Sequence, residues 1–372
     1  MKRLLLIGGG HSHVEVLRRF ALRPEPGVQL TVVSPHPFTL YSGMLPGLIA
    51  GHYRLEDCRI DLVALAAAAR ARHVQTFING LHLDTRLAFC LSGETLRYDL
   101  ASIDIGSRPD MLDVPGAAEY ALAVKPAEHF VDRWDELVRR APALPEGWRL
   151  VMVGGGAAGV ETLLSMQHRL LRAGARSPRC ALVTDTPEVL QSHPPRVRRV
   201  FARLLQRRGI EIHTGARVVE VGPHSVRTDG YAIGGNLIVW ATGASAPFWP
   251  RACGLATDTR GFIRVSASLQ TPNHPEIFAA GDIAQMDSAR PKSGVYAVRQ
   301  GPPLEQNLRR ALRDETLIPY RPQRLALSII STGPRHAVAT RGAIAFAGGW
   351  VWHWKNWIDG RFVRRYAARE RS

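Results

Sequence analysis

Gly154, Gly156 and Gly159 stand in the spacing Gly-x-Gly-x-x-Gly directly after the apolar run 150–153. In that setting the first glycine makes a tight turn, the second lets the backbone approach a pyrophosphate, and the third lets a helix pack closely on a strand. A helix opening there aims unpaired N–H groups and partial positive charge at phosphate oxygens. The chemistry on offer is dinucleotide binding, with a glycine-rich packing turn as the plain alternative. Asp185, after the next apolar run, is either a carboxylate that accepts hydrogen bonds from an adenosine ribose, which favours NADH over NADPH, or a solvated loop aspartate. A second copy starts at residue 4, with Gly8 and Gly10 in place, but His13 takes the third glycine position and Ser34 stands where a ribose-binding acid is usual. His11 and His13, on either side of Ser12, each have two readings: near phosphate oxygens, or packed with the helix.

Two segments, 4–33 and 150–184, must therefore each fold as strand, glycine turn, helix and strand. That is the mark of an α/β protein with two Rossmann-like, doubly wound units. Gly106-Ser107-Arg108-Pro109 and Val114-Pro115-Gly116 punctuate the end of the first unit, and the crossover is placed near Pro115. Downstream, Ile277-Phe278-Ala279-Ala280-Gly281-Asp282 reads as a short strand ending in Gly-Asp. Residues 325–330 and 343–346, with Thr332-Gly333-Pro334 between them, read as an antiparallel pair, and 350–366 as a helix. The expected divisions are 1–115 and 246–322 for the first domain, 116–245 for the second, and 323–372 for a C-terminal β segment and helix.

The composition is that of a folded chain: of 372 residues, 45% are apolar and 22% charged. The four cysteines, Cys58, Cys90, Cys180 and Cys253, form no CxxC pair, so neither a local redox disulfide nor half a zinc site is expected, and no metal. A reducing cytoplasm fits this usage. The formal net charge is +16, with arginine supplying all the positive residues but Lys2, Lys125, Lys292 and Lys355. Such a surface suits anionic lipid or phosphorylated cofactors; no basic low-complexity tail singles out nucleic acid. The apolar start stops at Gly8, too soon for a signal peptide, and no run approaches the 18 or so apolar residues of a spanning helix.

Taken together, Gly8-Gly9-Gly10, Ile105 to Pro109, Val153 to Glu161, Val239-Trp240-Ala241-Thr242-Gly243 and Ile277 to Asp282 resemble the two-dinucleotide-domain flavoproteins. These include the pyridine nucleotide-disulfide reductases, type II NADH dehydrogenases and sulfide:quinone oxidoreductases. Gly8 to Val14 with Tyr41-Ser42-Gly43-Met44-Leu45-Pro46-Gly47 is similar to the NADH dehydrogenase-like branch found alone or fused to selenide, water dikinase. The resemblance implies FAD in the N-terminal unit and NAD(P)H in the middle unit, which is inserted in the first. It also implies cofactor contacts at Gly106, Gly243, Gly281 and Asp282, the last matching the aspartate that hydrogen-bonds the flavin ribityl chain. Glu161 matches an acid near the nicotinamide; as a bare residue it is a first-turn glutamate favoured by the helix dipole.

Departures narrow the subclass. Disulfide reductases need thiols in the stretch corresponding to 37–51, where this chain has none, and Cys180 and Cys253 match no sulfur-carrying position of the sulfide:quinone branch. All four cysteines therefore read as small buried hydrophobes. Pro291-Lys292-Ser293-Gly294 is similar to the sulfide:quinone branch, whose lysine sits by the flavin, so Lys292 is a candidate to stabilise reduced flavin, and Gln300 to hold flavin or a quinone carbonyl. Val295 stands where type II NADH dehydrogenases carry glutamine.

Trp350, Trp354, Trp357, Ile358 and Phe362 share one expected helical face, followed by Arg364, Arg365, Arg369 and Arg371. This composition suits an interfacial membrane helix or, equally, internal packing. Gly360 argues for a bend. The reading is a FAD-dependent NAD(P)H dehydrogenase, with Lys292 and Glu161 as candidate catalytic residues. Hydride would pass from nicotinamide to flavin and electrons onward to a quinone. The expected place is cytoplasmic or peripheral on the inner membrane face, with a possible functional link to selenide, water dikinase. The alternatives are reduction of a selenium or sulfur compound, or a nucleotide-binding interaction protein without turnover.

Overall fold

The computed structural model describes every residue except 112, 289, 290, 324 and 368–372. Arg369 and Arg371, assigned above to the basic end of the last helix, lie outside the described residues.

The first unit opens with β1 (Lys2–Ile7), α1 (His11–Leu22), β2 (Val28–Val33), β3 (Arg72–Val74) and β4 (Leu100–Ile103). The middle unit holds β5 (Ala121–Ala123), β6 (Arg149–Val153), α2 (Ala157–Arg172), β7 (Arg179–Val183), β8 (Ile210–His213) and β9 (Leu237–Trp240). The chain then returns to the first unit with β10 (Ile277–Ala279) and α3 (Gly294–Leu312). It ends in β11 (Ser328–Ser331), β12 (Ala337–Arg341), β13 (Ile344–Gly348) and α4 (Gly349–Tyr366).

Both main sheets are parallel and five-stranded, in the order β10-β4-β1-β2-β3 and β5-β9-β6-β7-β8. Their central strands are apolar without alternation because both faces are covered, one by helices and the other by a three-stranded antiparallel sheet (78–97 in the first unit, 218–234 in the middle unit); Leu4, Leu5, Leu6 and Ile7 are all buried, as are Leu150 to Val153. The two sheets share one register at the functional edge. Ile7 pairs with Val33 and Ile103, and Val153 pairs with Val183 and Trp240. Each glycine turn thus leaves the carboxyl end of its sheet, where open α/β folds bind ligands.

Strand β10 lies beside β4, with Phe278 opposite Ser102, and delivers Gly281-Asp282 to the same edge as Gly8. Helix α3 then packs along α1 closely enough that a Cβ on Gly301 would sit 2.7 Å from that of Glu15. The units are joined by two short segments, Arg108–Pro109 and Ala244–Ser245, which pair antiparallel. One hydrophobic cluster unites Leu40, Met44 and Ile49 of the first unit with the helices of the second and with Ile330 and Val338.

The C-terminal sheet differs from the expected pair. It has three antiparallel strands, β11-β12-β13, because 337–341, passed over in the sequence, forms the middle one. Gly342, at φ +60°, makes the turn that sends the chain back as β13. Helix α4 runs as one α-helix through Gly360. Its faces also differ from the expected stripe: Trp350, Trp354 and Trp357 point outward, whereas Phe362 is buried with Val351, Trp352 and Tyr366. No described helix is long and apolar enough to cross a membrane.

Candidate active site at the carboxyl edges of the two sheets

In the middle unit the glycine turn has the form that phosphate binding needs. Gly154 takes φ +121°, with its Cβ position 2.5 Å from the Ala241 carbonyl. A Cβ on Gly159 would lie 1.9 Å from the Gly154 carbonyl oxygen, so the third glycine is what lets α2 seat against the turn. Gly156 faces open space, with nothing within 4 Å of its Cβ position. The α2 N-terminus behind it is thus free to meet a pyrophosphate. Asp185 lies exposed just beyond β7 and makes no side-chain contact among the described residues, as a ribose-binding carboxylate would before ligand arrives.

The first turn is built differently. Gly8, at φ +99°, again approaches the end of the neighbouring strand, 2.3 Å from the Asp104 carbonyl. The ring of His13 is fully buried; Nδ1 is 2.7 Å from the Gly8 carbonyl and Nε2 is 2.8 Å from the Ser102 hydroxyl. Burial lowers its pKa to about 4. The neutral ring must therefore donate from Nδ1 to Gly8 and accept at Nε2 from Ser102. Of the two readings open for His13, the packed one describes this ring, which replaces the glycine–carbonyl contact of the middle unit by a hydrogen bond. Ser12 donates to the Ala297 carbonyl at 2.7 Å and so ties α1 to α3. His11 packs edge-on to Tyr41, 5.5 Å between centroids, and burial lowers its pKa to about 4. Its Nε2 has no partner, leaving one buried ring nitrogen at the helix start for a ligand. Ser34 is buried at the end of β2, its hydroxyl 3.1 Å from the Cβ position of Gly9.

A residue passed over in the sequence sits between these groups. Asp104 accepts the N–H of Ser12 at 2.8 Å and of His13 at 3.1 Å, and its carboxyl group fills the space in front of both Gly10 and Gly281. On the other wall Gln300 accepts the Gly281 N–H at 2.6 Å. Asp282 pairs with Lys125 at 2.8 Å and accepts from Ser107 at 3.3 Å. Gly106, at φ +70°, faces open space, and Gly243 lies beside the Arg260 guanidinium. Lys292 donates to the Ala284 carbonyl at 2.6 Å and rests 4.1 Å from the Phe262 ring centre. Burial lowers its pKa to about 8 against the pull of Asp282. Gly281, Asp282, Lys292, Tyr296 and Gln300 together line one cleft.

Glu161, on the first turn of α2, accepts the Ser331 N–H at 2.6 Å, and burial raises its pKa against the opposing field of Lys355. Lys355 in α4 reaches the Gly43 carbonyl and pairs with Asp359 one turn on, at 2.6 Å. Burial, and Asp359 after it, raise the pKa of Tyr41, which stacks on Phe362 at 4.3 Å. All three parts of the chain thus meet here: the middle unit through Glu161, the 41–43 loop, and the last helix. The sequence alone assigns Lys355 and Asp359 no role; their i,i+4 spacing on a helix rich in tryptophan is the available signal. Of the cysteines, Cys58 lies within the field of Lys355 and Asp359; Cys58, Cys90 and Cys180 are buried and Cys253 accepts from the Leu81 N–H, while burial raises the pKa of Cys58 and Cys180 to about 12.

Two nucleotide turns on one edge, with a C-terminal sheet and helix closing over them, define a two-dinucleotide-domain oxidoreductase. Residues 2–301 match the pyridine nucleotide-disulphide oxidoreductase family, and the chain belongs to it, with FAD and NAD(P)H as cofactors. It is 27% identical over 361 residues to an NADH dehydrogenase-like protein of Mycobacterium tuberculosis, covering 92% of this chain and 88% of the relative. It is 24% identical to the demethylphylloquinone reductase of Synechocystis, over 92% of this chain and 86% of that one. Among solved structures, NDH2 of Plasmodium falciparum in complex with NADH superposes with a TM-score of 0.82 at 13% identity, over 99% of both chains. The sulfide:quinone oxidoreductase of Aquifex aeolicus gives 0.82 at 19% identity, over 99% of this chain and 92% of that one.

The residues present fit these cofactors. The open face of Gly156 and the free Asp185 suit NAD(P)H, and the α1 turn with Gly281, Asp282 and Gln300 suits FAD, with the orphaned His11 Nε2 as a further donor or acceptor.

Proposed function

We propose that this chain oxidises NAD(P)H, with NADH favoured, and passes the electrons to a quinone. Bound FAD would supply the two-electron step between them. The middle unit orients the nicotinamide through the α2 turn, with Asp185 on the ribose and Glu161 at the helix start. Asp282, held by Lys125 and Ser107, and Gln300, held by the Gly281 N–H, position the flavin. Lys292, fixed against Phe262 and Ala284, adds positive charge on that side of the cleft.

The observation that carries the acceptor is the Lys355–Asp359 pair beside Tyr41 and within the field of Glu161. Reducing a quinone to a quinol takes up two protons as well as two electrons. Lys355 holds a proton at Nζ between two oxygens, and the nearby Cys58 thiol is buried with its pKa raised to about 12 by that burial. The relatives named for quinone reduction support the same reading. A sulfur or selenium acceptor carried on a thiol would need an accessible cysteine at the site; Cys58, Cys90 and Cys180 are buried, and the half-buried Cys253 sulfur is taken up by the Leu81 N–H.

The outward tryptophans of α4, with Phe346 and Ile344 exposed beside them and Arg361 5.4 Å from the Trp357 ring centre, suit an anionic membrane surface, where quinones reside. The test is anaerobic. NADH should bleach the yellow protein, and a water-soluble quinone should restore its colour. Lys355→Met should slow the quinone step about 100-fold, as loss of a proton donor does, and leave bleaching by NADH unchanged. Reoxidation by no quinone in a panel would overturn the reading.

A further inference from the structure

The two glycine turns differ at one position that the sheets make equivalent. In the middle unit Ala241 follows β9, its N–H bonded to the Val153 carbonyl, and Gly154 rests on its carbonyl. In the first unit Asp104 follows β4, its N–H bonded to the Ile7 carbonyl, and Gly8 rests on its carbonyl. Gly156, the second glycine of the middle turn, faces open space, whereas Gly10 faces the Asp104 carboxyl group, 2.3 Å from its Cβ position. Oδ1 of that group also lies 2.3 Å from the Cβ position of Gly281. Oδ2 takes the N–H groups of Ser12 and His13. Asp104 thus places a carboxyl group inside the phosphate end of the flavin site, where the other unit leaves room.

We infer that Asp104 carries a proton when FAD is bound, so that loading the flavin takes up one proton and flavin affinity falls as pH rises. The inference rests on FAD occupying the first unit. An ionised carboxylate there would oppose the charged pyrophosphate at the shortest range the site allows, in a water-poor place where like charges repel strongly. A carboxylic acid keeps both N–H contacts through Oδ2 and presents a donor from the other oxygen. Burial already raises the Asp104 pKa to about 7, helped by Asp282 and opposed by the two N–H bonds, so the proton is within reach near neutrality.

Other groups face the same place. Helix α1 brings His11 and His13, both neutral well below pH 7. The 281–283 turn brings Asp282, paired with Lys125. The approach to α3 and its first turn bring Lys292 and Tyr296, and β4 brings Ser102. Lys292, lowered to about 8, also loses charge at alkaline pH, so the variant must separate the two.

The experiment is reconstitution of the flavin-free protein, following FAD by the quenching of its fluorescence from pH 6 to 9. The dissociation constant should be level below about pH 7 and rise about tenfold per pH unit above it. Asp104→Asn, which keeps both N–H contacts but cannot ionise, should bind with a level constant, at least about tenfold tighter than the natural protein at pH 8.5. Calorimetry of the natural protein at pH 8, in two buffers of different ionisation enthalpy, should show about one proton taken up per FAD, a readout independent of the variant. A level constant in the natural protein, no proton uptake, or an unchanged slope in Asp104→Asn overturns the inference. Failure to bind FAD at any pH overturns the cofactor assignment beneath it as well.

Discussion

His13 holds its fully buried imidazole between the Gly8 carbonyl and the Ser102 hydroxyl, so both partners lose their hydrogen bond if the ring is removed. His13→Ala should cost about 3 kcal/mol or more, from two orphaned polar groups and a cavity, read as a lower melting temperature. The same burial sets an acid limit. The folded pKa of His11 and His13, about 4, lies below the unfolded value of 6.5, so their contribution is complete above pH 6.5 and is lost as pH falls towards 4. The melting temperature should therefore fall through that window, and less steeply in His13→Gln, which keeps a donor and an acceptor without titrating. The proposed role of Asp185 on the coenzyme ribose is testable at the same scale. Asp185→Ser should raise the KM for NADH about tenfold, the worth of a charged hydrogen bond, and improve relative use of NADPH, measured as the ratio of kcat/KM values.

Helix α4 presents two faces with different duties. Its inner face, Val351, Trp352, Phe362 and Tyr366, is packed, while Trp350, Trp354 and Trp357 stay in solvent. Replacing all three outer tryptophans by serine should leave folding and activity towards a water-soluble quinone intact. It should reduce binding to phosphatidylglycerol vesicles at least about tenfold in a sedimentation assay. Equal binding by the variant would count against the membrane surface. The sequence put all five aromatic and aliphatic positions on one stripe because helical spacing alone does not say which side of a wide apolar arc the body of the protein takes. The strand at 337–341 escaped notice for a related reason. Its alternation is weak, four of its five residues being buried, and a strand covered on both faces carries little periodic signal.

At the scale of the whole molecule, the two nucleotide units were legible because each announces itself within some thirty residues: an apolar strand, glycines at the junction, and a helix. The open Gly156 and the free Asp185 follow that local grammar, whereas Gly281-Asp282 is placed by the family resemblance and reaches the first turn through the pairing of β10 with β4. What stayed hidden depends on pairing between distant segments. Asp104 stands between Ile103 and Ile105 with no local motif to mark it, and only the register of β4 against β1 brings it to the helix start. Lys355 and Glu161 come within each other's field only once the C-terminal sheet has docked on α2 through Ser331.

The late return of β10 to the first sheet sets an order of assembly during synthesis. Every strand of the middle sheet, from 121 to 240, is synthesised before Ile277–Ala279. The inserted unit can therefore close while the unit that surrounds it still lacks an edge strand, Asp282 and Gln300. On the proposed assignment, the nascent chain acquires its nicotinamide lobe before its flavin seat, and the coloured coenzyme can lock in only after Gln300 has been made.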